Sequence, residues 1–188
     1  MHHIQIISTP RSGSSVYSHL IYTQIEKMQE HGGIMFMERI HLDTPKRILQ
    51  IYKRSRKFTI AKDHAESLHQ FLTHPGQTPK ITQKYKKTIT EFIGIYRKDR
   101  VEQTASYAIQ KYGKLNTHTF VKSAMAIEHS YQIWEYYKPW YHRVVAYEDI
   151  LEQIKLIKMP RDLKRKNPDK GDLSEYRHMY YNTILKRK

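Results

Sequence analysis

The chain is predicted to be an α/β domain, a central and mostly parallel sheet with helices on both faces. Three observations lead there. Short apolar segments alternate with helix-length amphipathic ones, the pattern of parallel strands joined by crossover helices. The first strand, ending in Ile6-Ile7, turns through Ser8-Thr9-Pro10-Arg11-Ser12-Gly13 straight into a helix. A length of 188 residues suits one such core, so residues 1–188 are expected to form a single domain.

Each element has its own signal. Behind the first turn, Val16, Tyr17, Leu20, Ile21, Ile25 and Met28 fall on one helical face, away from Glu26, Lys27 and Gln29. His31-Gly32-Gly33 ends that helix as a glycine cap, and residues 34–37 read as a short buried strand with Glu38 directly after it. Residues 43–54 read as a helix with Pro45 in its first turn, and 58–61 as a strand leading into Lys62-Asp63-His64. A helix over 65–72 stops before Pro75-Gly76. Residues 74–87 carry prolines, a glycine and lysines without apolar periodicity, and read as a loop or substrate-facing insertion.

A strand follows over 88–96, then a helix over 99–112 with a stripe of Val101, Ala105, Ala108 and Tyr112. In a long helix over 117–138, Phe120, Ala124, Ile127, Tyr131 and Trp134 recur at three- and four-residue spacing, a core-facing stripe. Residues 143–147 read as a last strand and 148–157 as a helix. The tail, 160–188, is polar and basic until a helix-like segment near 176–185.

A net charge of +15 and a pI near 9.8 imply an anionic partner, without saying which. The clusters 53–57 and 84–87 read as solvated faces or steering charge. No run of 18 apolar residues and no leader pattern occurs, so the protein is expected to be soluble, unprocessed and cytoplasmic, with no transmembrane segment. The absence of cysteine excludes disulfides and thiolate metal sites, and the twelve histidines lack metal-ligand spacing, so no metal is expected. Oligomeric state is not legible.

The first turn sits where unpaired backbone N–H groups and the positive end of the helix dipole attract an anion. Gly13 allows close backbone approach, Arg11 adds charge, and Ser14 and Ser15 add hydroxyl donors. On residues alone, Ser12 or Ser14 could equally be an ordinary helix cap. The loop lacks the first glycine and the lysine of G-x-x-x-x-G-K-[ST], which disfavours a Mg-ATP hydrolase and weakens a nucleotide-kinase reading. A nucleic-acid-binding module is the other alternative, motivated by the charge and fifteen tyrosines, but the basic residues are dispersed and carry no recognised motif. Four groups fall at carboxyl ends of predicted strands, where ligands of such sheets bind: the Arg11 loop, Glu38, Lys62 with His64, and Arg97.

Thr9-Pro10-Arg11-Ser12-Gly13-Ser14-Ser15 resembles the 5′-phosphosulfate loop of sulfotransferases that use 3′-phosphoadenosine-5′-phosphosulfate (PAPS), in its carbohydrate and bacterial glycolipid form. Residues 96–107 resemble the family's strand–Arg–helix–Ser segment, and Val144-Val145-Ala146-Tyr147-Glu148-Asp149-Ile150 its late strand end. Ser106 lies one residue further beyond Arg97 than is usual, so either the turn holds an extra residue or Lys98 supplies the matching charge.

The resemblance implies a three-layer, P-loop-NTPase-like fold and metal-independent transfer of a sulfuryl group to a hydroxyl or amine, with PAP (3′-phosphoadenosine-5′-phosphate) as product. The acceptor would be a small molecule, glycan or glycolipid-like head group, already anionic if the excess charge serves it. Arg11, Ser12, Gly13, Ser14 and Ser15 would hold the 5′-phosphosulfate, with Arg11 also stabilising the leaving oxygen, and Arg97 and Ser106 would hold the 3′-phosphate. The basic stretch 163–167, with Lys166, would cover the nucleotide. The general base would be Glu38, as in the carbohydrate-like branch toward which the loop leans, or His64, with Lys62 near the transferring group, as in the small-molecule branch. Without the resemblance, Glu38 would pair with Arg39 or Lys46 at the surface, His64 would cap the next helix, and Glu148 and Asp149 would serve the helix that follows them.

Overall fold

A computed structural model describes residues 2–28, 34–38, 49–50, 58–151, 153 and 170–184. Five strands, β1 (His2–Ser8), β2 (Ile34–Glu38), β3 (Phe58–His64), β4 (Glu91–Tyr96) and β5 (Arg143–Ala146), form one sheet in the order β2-β3-β1-β4-β5. All four pairings are parallel. Around it lie α1 (Ser14–Met28), α2 (Ala65–Thr73), α3 (Pro79–Thr88), α4 (Arg100–Tyr112), α5 (Thr117–Tyr136) and α6 (Ser174–Thr183), with 3-10 turns at Lys138–Trp140 and Tyr147–Ile150.

The period-2 alternation of the strands divides the core in two. Ile4 and Ile6 of β1, Ile60 of β3 and Ile93 and Ile95 of β4 pack with Tyr17, Leu20, Ile21 and Ile25 of α1. Their neighbours Ile7, Ala61 and Phe92 face the other way, against Leu68 and Phe71 of α2, Tyr85 of α3 and Trp134 of α5. The sheet is therefore covered on both faces, and its central strand is almost wholly buried. Gly94 is part of this second face: a Cβ there would overlap the Tyr141 ring and come within 2.9 Å of Trp134 Cζ2.

The structure revises several expectations. Residues 74–87 are not a loop throughout, because Thr78 caps α3 by accepting from the Ile81 N–H, Pro79 opens it, and Ile81 and Tyr85 face inward one turn apart. Consequently Thr88 belongs to α3 and the strand begins at Glu91. Tyr112 falls off the expected stripe and is exposed, while Val101, Ala105 and Ala108 are buried. The stretch after Ala146 starts as the 3-10 turn Tyr147–Ile150, and most of the helix expected to 157 lies outside the described residues. The glycine cap at 31–33, the cluster at 53–57, most of the 43–54 helix, the stretch 163–167 with Lys166, and the side chain of Glu38 also lie outside them.

The C-terminal helix is docked. Tyr176 stacks obliquely on Phe120 with centroids 4.7 Å apart, and Tyr180 is buried, its hydroxyl donating to Glu128, which also pairs with Arg100 at 2.8 Å. Arg177 reaches Asp99 at 2.6 Å, and Lys170 pairs with Glu102. Burial pushes the Asp99 and Glu102 carboxyls up, but these partners outweigh it and hold both below the usual carboxylate range.

Two predictions follow from this packing. A carboxylate depressed on folding stabilises above its unfolded pKa and loses that contribution as pH falls through the folded value. The denaturant midpoint should thus drop between about pH 5 and about pH 3, and Glu102→Gln should flatten that dependence; equal slopes would refute the assignment. Gly94→Ala should cost about 1–3 kcal/mol in urea unfolding by overpacking the Trp134–Tyr141 face.

Candidate functional site

The carboxyl end of β1 runs into the turn 9–13, which Thr9 anchors by donating its N–H to Ile95 O of β4 at 3.4 Å. Arg11 and Gly13 both take positive φ, 59° and 76°. For arginine this is an uncommon, strained conformation, and such strain concentrates at functional sites. At Gly13 no other residue would fit, since the Tyr147 ring occupies the space of a Cβ. The first α-helical bond runs from Tyr17 N–H to Gly13 O at 3.0 Å, so the N–H groups of Ser14, Ser15 and Val16 have no acceptor within α1.

Side chains from two other segments, β3 and α4, converge on this turn. Arg11 Nε donates to Ser106 Oγ of α4 at 3.1 Å, and Lys62 Nζ of β3 donates to Ser15 Oγ at 2.5 Å. Ser12 is 1% exposed and its hydroxyl has no hydrogen-bond partner. Gln103 of α4 donates to Thr9 Oγ1 at 2.9 Å and to Pro10 O. Two cations, the α1 amide groups and a buried idle hydroxyl thus surround one turn, a donor set suited to an anion carrying several oxygens.

Beside the turn, Ser8 and His64 are register partners at the ends of β1 and β3. Ser8 Oγ lies 3.2 Å from Asp63 O, a pure acceptor, and 3.1 Å from His64 Nδ1. The serine has one proton; donated to Asp63 O, it leaves Nδ1 as the donor and Nε2 as the basic nitrogen. His64 stands at the N-cap position of α2, yet its side chain makes no capping bond and turns to Ser8 instead. Glu38 is the last residue of β2 rather than one beyond it, in register with Lys62. It therefore sits two residues below the level of His64 and one strand further from β1.

Arg97 follows β4 and is 6% exposed. Its guanidinium pairs with Glu102 at 2.6 Å, lies 3.5 Å from Glu148, and sits over the Tyr147 ring at 5.2 Å. Glu148 also accepts from the backbone N–H groups of Lys98 at 3.0 Å and Asp99 at 3.4 Å, while Asp149 binds Lys98 Nζ. Glu148 thus serves the N-terminal end of α4 as well as standing, with Asp149, in the first turn of the segment that follows it. Asp99 caps α4 by accepting from Glu102 N–H at 2.9 Å.

The structure thus gathers Arg11, Ser12, Gly13, Ser14, Ser15, Lys62 and Ser106 at one turn and places His64 beside it, while Arg97 faces Glu102 and Glu148. Sequence reasoning missed Ser8, Glu102, Gln103 and the bridging role of Tyr131. Gln103 carried no signal of this: two residues from both Val101 and Ala105, it lies on the helical face opposite their stripe, yet it is fully buried. Among the described residues no helix is long and apolar enough to cross a membrane, and no group of three or more His, Asp or Glu gathers as a metal site. Compared with known proteins, the chain matches no family model and no curated sequence.

Proposed function

We propose that the chain is a PAPS-dependent sulfotransferase of P-loop-like fold. The observation carrying this reading is the 3.1 Å bond from Arg11 to Ser106. It joins two segments 95 residues apart that resemble the family's 5′- and 3′-phosphate motifs, at the carboxyl end of the central strand. The buried, idle Ser12 hydroxyl and the Lys62–Ser15 contact support it as donors for a phosphosulfate.

In the reaction, the acceptor oxygen bonds to sulfur as the bond from sulfur to the bridging phosphate oxygen breaks, and the acceptor's proton passes to a base. As in phosphoryl transfer, positioning and charge stabilisation do most of the work. Arg11 and the α1 amide groups hold the 5′-phosphate and the oxygen that becomes negative. Lys62 holds the transferring group, and Arg97 and Ser106 the 3′-phosphate. His64 takes the proton ahead of Glu38, because register sets His64 level with the turn. The acceptor is a hydroxyl-bearing glycan, glycolipid head group or small molecule.

Calorimetry without added metal should detect PAP, and Arg11→Ala should weaken it by about tenfold or more, as expected for losing a hydrogen bond to a charged group; Arg97→Ala should weaken it too. Absence of binding, or binding indifferent to both changes, would overturn the reading. With labelled PAPS and an acceptor panel, His64→Gln should lose about 100-fold or more in turnover with PAP affinity retained. If Glu38→Gln shows that loss instead, the base is Glu38.

A further inference from the structure

Tyr131 belongs to a stripe that sequence reading assigns to the core, and a core needs no hydroxyl there. Yet that hydroxyl has three polar neighbours in the interior. It accepts from Arg97 N–H at 3.1 Å, and its single proton is shared between two acceptors, Arg97 O at 2.7 Å and Gln103 Oε1 at 2.9 Å. The Gln103 amide is fixed in orientation by its other end: Pro10 O only accepts, so the nitrogen must face Pro10 and Thr9, and the oxygen must face Tyr131. Burial pushes the Tyr131 hydroxyl's pKa up, against the Arg97 and Thr9 bonds, so it keeps its proton at neutral pH.

A continuous buried path therefore runs Thr9/Pro10–Gln103–Tyr131–Arg97. Thr9 and Gln103 are fully buried, and Tyr131 and Arg97 are 3% and 6% exposed. The path joins the root of the anion-cradling turn to the backbone of the residue after β4. Buried polar networks, when satisfied, hold one arrangement, and each broken link leaves groups that water cannot reach.

We propose that Gln103 and Tyr131 are positioning residues that fix the span between the 9–15 turn and Arg97, so that the site selects ligands with two anionic groups at a set separation. This rests on the sulfotransferase reading for the identity of those groups, a 5′- and a 3′-phosphate on one nucleoside. Neither residue touches the ligand.

The test compares wild type, Tyr131→Phe and Gln103→Met in two measurements. The first is amide hydrogen exchange without ligand. Tyr131→Phe should speed exchange at Arg97 and also within residues 11–15, which its hydroxyl reaches only by way of Thr9 and Gln103. Acceleration at Arg97 alone would overturn the bridge. The second is affinity for PAP against adenosine 5′-phosphate. Both variants should lower the PAP preference about tenfold while leaving the monophosphate little changed, and the double variant should lose no more than the worse single one, as links of one chain do. Equal weakening of both nucleotides would overturn the positioning role and leave only a structural one. If wild type itself shows no preference for PAP, the assignment of the ligand fails, and the exchange measurement still decides the bridge. Gln103→Met keeps the question answerable should Tyr131→Phe fold poorly.

Discussion

The ring of Tyr147 lies where Gly13 would carry a side chain, and much of the local architecture depends on that contact. It seats the 9–13 turn against the end of β5, on the α1 face of the sheet, where Tyr147 packs with the same core cluster as Tyr17, Leu20 and Ile21. The same ring underlies the Arg97 guanidinium, whose remaining edges meet Glu102 and Glu148. One aromatic side chain thereby seats two neighbouring pieces of backbone, at the ends of β1 and β4. Both must be in place before side chains can converge on the turn.

Charge is distributed unevenly around this seat. Against 33 lysines and arginines the chain has 18 acids, and five of those acids, Asp99, Glu102, Glu128, Glu148 and Asp149, are engaged with the α4 end of the molecule and the helix docked there. At the 9–15 turn, Arg11 and Lys62 meet the hydroxyls of Ser106 and Ser15, so cations and hydroxyl donors are brought together there.

Strands and long helices were legible because burial imposes a period on them: Ile6 and Ile7 report opposite faces, and Phe120 to Trp134 a single one. The helix Pro79–Thr88 was hidden because only Ile81 and Tyr85 face inward among four lysines, too sparse a stripe against the proline and glycine before it. The turn 9–15 stands out in the sequence by its residue types, and Lys62 and His64, read there as following a strand, form that strand's carboxyl end. What could not be foreseen was pairing between distant segments. Nothing local to Ser106 points to Arg11, nothing local to Glu148 points to the amides of Lys98 and Asp99, and the Tyr131 hydroxyl was masked by a stripe that the ring alone explains.

The position of β1 at the centre of the sheet also governs how the chain can assemble. Its neighbours are β3 and β4, so His2 waits for Phe58 and Ile4 for Glu91, and no two strands adjacent in the sheet are joined by a tight hairpin. Every rung of the ladder closes a long loop before it gains a bond. A nascent chain holds one edge of its central strand, β1, unpaired until β4 has been made, and the 9–13 turn, anchored through Thr9 to β4, cannot be completed before then. The interval before β4 emerges is therefore the one in which an edge of the central strand stands open to other chains.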